Sequence, residues 1–136
     1  MKMVYKLAYM DMACRFGLTS QAERRKVGAL LVKDGGIISE GCNGQPSGWH
    51  TEVCECSETG LTLPTVRHAE VACLEKLQNK PNTAEGSTMF VSTAPCYPCA
   101  IKIASAKVVE VYYRDLYNSL DGIEYLRSRA IHTEQI

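Results

Sequence analysis

Apolar and polar positions follow two rhythms along this chain, and the order in which they alternate predicts its elements. Met3, Leu7, Met10, Cys14 and Leu18 recur at helical spacing and predict an amphipathic first helix. Val27 to Val32 and Ile37 to Cys42 are apolar runs of strand length around Lys33-Asp34-Gly35-Gly36, the pattern of a tight antiparallel hairpin. Ala69, Cys73 and Leu77 return to the helical period until Asn79-Lys80-Pro81 stops it. A strand follows over Thr88 to Ser92, then a helix carrying Ala100, Ile103 and Ala104. A strand over Val108 to Tyr113 precedes a last helix marked by Ile123 and Leu126, and the closing residues can add a short edge strand. Strands that alternate with helices in the second half predict parallel pairing there. The expected fold is α/β: a three-layer α/β/α sandwich around a mixed five-stranded sheet, one domain over residues 1–136.

Residues 45–67 break the rhythm. They hold Pro46, Gly48, Gly60, Pro64 and the only tryptophan, and a loop of this length in a compact domain usually serves as a lid or an interface. His50, Cys54 and Cys56 cluster in it and could bind a second zinc, with Cys14 or another chain completing the site. Their C-x-C spacing departs from the usual C-x₂₋₄-C, and the same residues also read as free loop thiols.

Composition narrows the partners. With 46% hydrophobic residues the chain can fill a real core. Net charge is zero, and the longest run of like charge is Arg24-Arg25-Lys26. A chain that grips a polynucleotide normally carries a basic face, so a small nucleotide is the better expectation. Seven cysteines, an odd number, suit a reducing cytoplasm rather than a disulfide scaffold. Lys2, Lys6 and Asp11 interrupt any signal-peptide core, and no apolar run approaches membrane length, so no membrane partner is expected.

The chemistry lies in two short stretches, His68-Ala69-Glu70 and Pro95-Cys96-Tyr97-Pro98-Cys99. His68, Cys96 and Cys99 are the proposed Zn²⁺ ligands. Three protein ligands leave a tetrahedral zinc one open position, as catalytic sites do, and Glu70 is then free to move protons. Zinc brings the pKa of a bound water down to ~7, which provides a nucleophile at neutral pH. Residues two apart in a helix interior point apart, so His68 belongs at a helix start with Glu70 in the first turn. Cys96 and Cys99 share one face of another first turn, where Pro95 and Pro98 are well tolerated. In a mixed sheet such a site lies off the strand ends, where the second motif falls. A redox CxxC would need no H-x-E partner, and a closed structural zinc would need a fourth protein ligand.

H-x-E with P-C-x-x-C is the recognised signature of zinc nucleobase deaminases. Together with Lys26-Val27-Gly28-Ala29, Lys33-Asp34-Gly35 and Gly41-Cys42-Asn43-Gly44, it makes the chain resemble the deoxycytidylate (dCMP) deaminases of the cytidine-deaminase-like superfamily, from about Lys2 to Ile131. Cys42 stands where that branch usually has tyrosine. The resemblance implies conversion of dCMP to dUMP with release of ammonia, supplying dUMP for dTMP synthesis, with Glu70 as the catalytic proton carrier. It implies that Asn43 bonds the deoxyribose hydroxyl, that the Ala69 N–H holds the base carbonyl and that Tyr117 packs on the ring. Asn43 also reads as a turn residue beside Gly44, and Tyr117 as an ordinary tyrosine. The substrate phosphate needs cations, for which Arg24, Arg25 and Lys26 are the candidates, Arg25 and Lys26 first. The resemblance further implies a homo-hexamer activated by dCTP and inhibited by dTTP, with Gly41, Cys42, Asn43 and Gly44 at the allosteric site and Mg²⁺ arriving with the triphosphate. Two alternatives stand beside this reading. One is a deaminase of cytidine or of tRNA adenosine, disfavoured by the Gly-x-Asn-Gly segment and by the neutral charge respectively. The other is a non-catalytic zinc-stabilised module, which would have no use for Glu70.

Overall fold

Glycine decides how the first helix meets the sheet. The computed structural model describes residues Met1 to Ile136. Helix α1 (Met3–Gly17) turns Met10, Ala13 and Gly17 inward, and strand β1 (Gly28–Lys33) begins directly beneath them. A Cβ on Gly28 would lie 1.9 Å from the Ala13 carbonyl oxygen and 2.6 Å from the Gly17 nitrogen, so helix and strand touch backbone to backbone. This overturns the expected stripe. Met3, Leu7 and Leu18 are 49%, 48% and 58% exposed, Cys14 is half-buried, and only Met10 of the five is in the core. The helix docks by its small residues because a face of larger side chains could not come this close.

Strand β2 (Gly36–Cys42) pairs antiparallel with β1, and its register shifts between Leu31 and Val32. Asp34 and Gly35 both have positive φ (52° and 75°), the left-handed pair that a two-residue hairpin turn needs. The expected hairpin is present. Strands β3 (Thr88–Thr93), β4 (Glu110–Asp115) and β5 (His132–Gln135) complete a five-stranded sheet of order β2-β1-β3-β4-β5. β1 and β3 are antiparallel, whereas β3, β4 and β5 run parallel, as the alternating strands and helices of the second half require.

Side chains alternate across the sheet. Leu30, Val32, Phe90 and Tyr112 face α1 in a core of 6 buried residues. Ala29, Leu31, Met89, Val91 and Val111 face the other way into a core of 18, packed under α2 (Ala69–Glu75), α3 (Tyr97–Ser105) and α4 (Asp121–Ser128). The better-supported side therefore carries the helices that hold both motifs. Helix α2 ends at Glu75 and gives way to turns through Asn79, yet Leu77 remains buried in the core as its spacing implied.

Gly28→Ala should lower stability by roughly 2–3 kcal/mol in urea unfolding, the cost of overpacking a contact that cannot relax. Gly36→Ala, whose Cβ would meet nothing nearer than 3.9 Å, should cost less than about 0.5 kcal/mol. Equal effects would place the α1–β1 approach elsewhere.

Candidate active site

Two helices begin at one point. His68 precedes α2 and Cys96 precedes α3, both in extended conformation, and Pro98 sits in the first turn of α3. The His68 Nδ1 lies 3.4 Å from the Cys96 Sγ and 3.2 Å from the Cys99 Sγ. All three ligand atoms fall within 4.8 Å of one another, and no other group of three His, Cys, Asp or Glu residues comes together in this way. Legs of ~2.3 Å to sulfur and ~2.05 Å to nitrogen at tetrahedral angles put N and S roughly 3.5 Å apart, so the donors fit one zinc ion. Glu70, in the first turn of α2, is 4% exposed and is not among the three. Held by these three donors, a tetrahedral zinc would keep one position for water.

The turn that carries the cysteines is held on both sides. The Ala94 N–H donates to the Asp115 carbonyl at 2.8 Å. A Cβ on Gly122, in the first turn of α4, would lie 2.0 Å from the Pro95 carbonyl oxygen, so α4 presses directly on the turn.

Charge is shared within the cluster. A hydrogen bond from Cys99 and another from His68 hold the Cys96 thiol down at about 4, against its burial. Cys99, as donor to that thiolate, is pushed up, and burial adds to the shift. His68 is raised, chiefly by Cys96. Burial pushes Glu70 up to about 7, against the opposing pull of its backbone hydrogen bond and of His68.

A cavity of about 250 Å³ opens beside the cluster, and His68, Ala69, Glu70 and Cys96 form one end of it. Arg24, Arg25, Asn43 and Tyr117 are among the other residues that line it. Ala69 is the first residue of α2, so its N–H has no acceptor within the helix. The Arg25 guanidinium lies over the Tyr117 ring, 5.4 Å from its centre.

Residues 3–115 match the family described as the cytidine and deoxycytidylate deaminase zinc-binding region. The chain belongs to that family. A dCMP deaminase from the cyanophage S-TIM5, solved in complex with dCMP and dUMP, is 42% identical and superimposes with a TM-score of 0.96 over 100% of this chain and 99% of that one. The deoxycytidylate deaminase of Mycobacterium phage D29 is 30% identical over 77% of this chain and 90% of its own length. That of Schizosaccharomyces pombe is 28% identical over 81% of this chain, which spans only 37% of the yeast protein's length. The mixed sheet and its helices are the cytidine-deaminase-like fold of these neighbours. No helix is long and apolar enough to cross a membrane.

Not every candidate residue reaches the cavity. The Lys26 ammonium donates to the Ser20 carbonyl, and Lys26 lies outside the cavity wall. Asn43 is on the wall, but its side chain is also a backbone clamp. Its Oδ1 accepts from the Val27 N–H at 2.9 Å and its Nδ2 donates to the Arg25 carbonyl at 2.7 Å. One amide proton remains for a ligand.

Gly41, Cys42 and Gly44 face a second cavity of about 330 Å³ that shares Asn43 with the first. Gly41 has a packing reason as well, since a Cβ there would lie 2.6 Å from the Cys73 nitrogen of α2. Gly44 exchanges backbone hydrogen bonds with Arg67 at 3.1 and 2.8 Å.

His50, Cys54 and Cys56 do not converge, so the structure gives no second metal cluster. Cys54 is buried instead, anchoring residues 45–67. Within that segment residues 54–63 form a small hairpin, with Cys56 N–H to Leu61 and Leu63 N–H to Cys54, both 2.8 Å. It brings Glu55 and Thr62 to the cavity wall, and Asn118 joins them beside Tyr117. None of these three was a candidate from sequence. Asn118 had only its neighbour as a signal, and Glu55 had none.

Proposed function

We propose that this chain is one catalytic domain that hydrolyses dCMP to dUMP and ammonia. The observation that carries the reading is Glu70, a buried carboxylate beside three converging zinc donors at the end of a cavity walled by two arginines. Similarity over the whole chain to the S-TIM5 enzyme, whose structure holds dCMP and dUMP, supports the substrate.

His68, Cys96 and Cys99 hold the zinc. When bound, zinc supplies an acidified water as the nucleophile. Glu70 would take a proton from the attacking water and deliver it to N3 of cytosine, which makes C4 electrophilic, and would then carry the remaining hydroxyl proton to the departing amine. One water is consumed and one ammonia leaves. The Ala69 N–H, free at the start of α2, bonds the base carbonyl, and Tyr117 covers the ring. Asn43 offers its remaining amide proton to the sugar hydroxyl. Arg24 and Arg25, on the cavity wall, meet the phosphate first, and Lys26, which gives one of its three donors to the Ser20 carbonyl, stands behind them. The product serves as a source of dUMP for dTMP synthesis. Seven free thiols support a reducing, cytoplasmic setting.

Zinc-loaded protein should release ammonia from dCMP with a clearly higher kcat/KM than from deoxycytidine. Glu70→Gln should keep its zinc and lose ~10²–10⁴ in kcat, the usual worth of a proton-transferring side chain. Near wild-type turnover in that variant would remove Glu70 from the chemistry, and equal efficiency on the two substrates would remove the phosphate from recognition.

The second cavity supports regulation. It shares Asn43 with the active site and is lined by Arg67 and Lys76, cations that pair with Glu75 and Glu40 and would turn part of their donors to a triphosphate with Mg²⁺. dCTP as activator and dTTP as inhibitor would compete there, each biasing Asn43 and so the substrate site. The exposed Met3, Val4, Tyr5, Leu7 and Met12 of α1 are the apolar surface that a hexamer would cover. Titration of each nucleotide against dCMP turnover, with the assembly sized in parallel, should show opposite responses at one site in a hexamer. A monomer indifferent to both would reduce Gly41–Gly44 to a packing and substrate segment.

A further inference from the structure

Glu55 presents a physical conflict. It lies on the wall of a cavity proposed to take an anionic substrate, on the same wall as Arg24 and Arg25. A free carboxylate there would repel the phosphate that the arginines attract.

The hydrogen bonds resolve the conflict. The two Glu55 carboxylate oxygens accept from the Glu23 N–H at 3.2 and 3.1 Å, and one of them also accepts from the Arg24 N–H at 3.3 Å. The charge is directed at backbone donors rather than at the cavity. Those donors belong to a stretch with no helix or strand of its own, between the end of α1 and the start of β1. Side chains hold it in place. Ser20 Oγ accepts from the Ala22 N–H at 3.1 Å, and Asn43 takes the Arg25 carbonyl and the Val27 N–H. Glu55 supplies the clamp at the edge of the arginine pair that Asn43 does not reach.

Glu55 is itself well anchored. It forms a β-bridge with Thr62, and Cys54 beside it is buried. The clamp thus ties residues 45–67 to the arginine segment across 31 to 32 positions of sequence.

We propose that Glu55 is a positioning residue whose carboxylate fixes the Arg24–Arg25 segment so that both guanidiniums meet the substrate phosphate. The proposal rests on the reading of dCMP as substrate with its phosphate at those arginines. Removing the carboxylate hands the exposed Glu23 and Arg24 N–H groups to water, which holds no geometry, and frees the segment, so phosphate affinity falls. The chemistry at Glu70, on another element, is left in place.

Steady-state kinetics of zinc-loaded protein on dCMP and on deoxycytidine test this in Glu55→Ala and Glu55→Gln. Charge-assisted hydrogen bonds of this kind imply a rise of about tenfold or more in KM for dCMP in Glu55→Ala, with kcat changed by less than about threefold. Deoxycytidine has no phosphate to place, so its kcat/KM should change by less than about threefold. Glu55→Gln keeps one acceptor oxygen and the same shape, so it should fall between the two and provides the test should the alanine variant not fold. A parallel loss on both substrates would show a general structural role and overturn the proposal. An unchanged KM, or a lower one for dCMP because a repelling charge has gone, would also overturn it. If the wild-type protein itself shows no preference for dCMP, the phosphate reading fails first, and that outcome is distinguishable because it appears before any variant is made.

Discussion

Convergence of two helix N-termini on His68, Cys96 and Cys99 is the constraint around which the molecule is arranged. Each helix start offers unpaired N–H groups and the positive end of its dipole, an environment that favours thiolate over thiol. Bringing both to one point needs close backbone packing. Gly41 lets β2 lie against the backbone of α2, and Gly122 lets α4 lie against the Pro95 carbonyl ahead of α3. A side chain at either position would displace a helix end, and with it a metal ligand.

Two polar side chains extend this order from the metal into the cavity. Asn43 closes one edge of the arginine segment and Glu55 the other, each through backbone atoms rather than through partner side chains. Irregular chain on a cavity wall is thereby held without secondary structure. Asn43 lines both cavities, so the clamp on the arginine segment is also part of the second cavity's wall.

Much of this was legible in the residues because it is local. The Lys33–Gly36 turn announces its hairpin through residues that tolerate positive φ. H-x-E and P-C-x-x-C carry their own helix starts, and their pairing, a recognised deaminase signature, placed His68, Glu70, Cys96 and Cys99 at one site. The failures share a different cause. The α1 stripe was read from large apolar residues, whereas the contact with β1 required small ones, and no periodicity records how closely two backbones approach. Lys26 lies off the cavity wall that Arg24 and Arg25 line, with one of its donors on the Ser20 carbonyl, a placement its charge alone does not announce. Glu55 gave no signal because its partners lie more than thirty positions away. The His50, Cys54 and Cys56 cluster existed only along the chain, since Cys54 turns into the interior.

The central claim is a zinc ion held by one imidazole and two thiolates with a fourth position open. Zinc K-edge X-ray absorption on the purified protein reads that set directly. The account predicts one equivalent of zinc per chain, two sulfur neighbours at ~2.3 Å and two nitrogen or oxygen neighbours at ~2.0–2.1 Å, one of the latter exchangeable solvent. A shell of three or four sulfurs, or protein that folds and stays active without zinc, would contradict it.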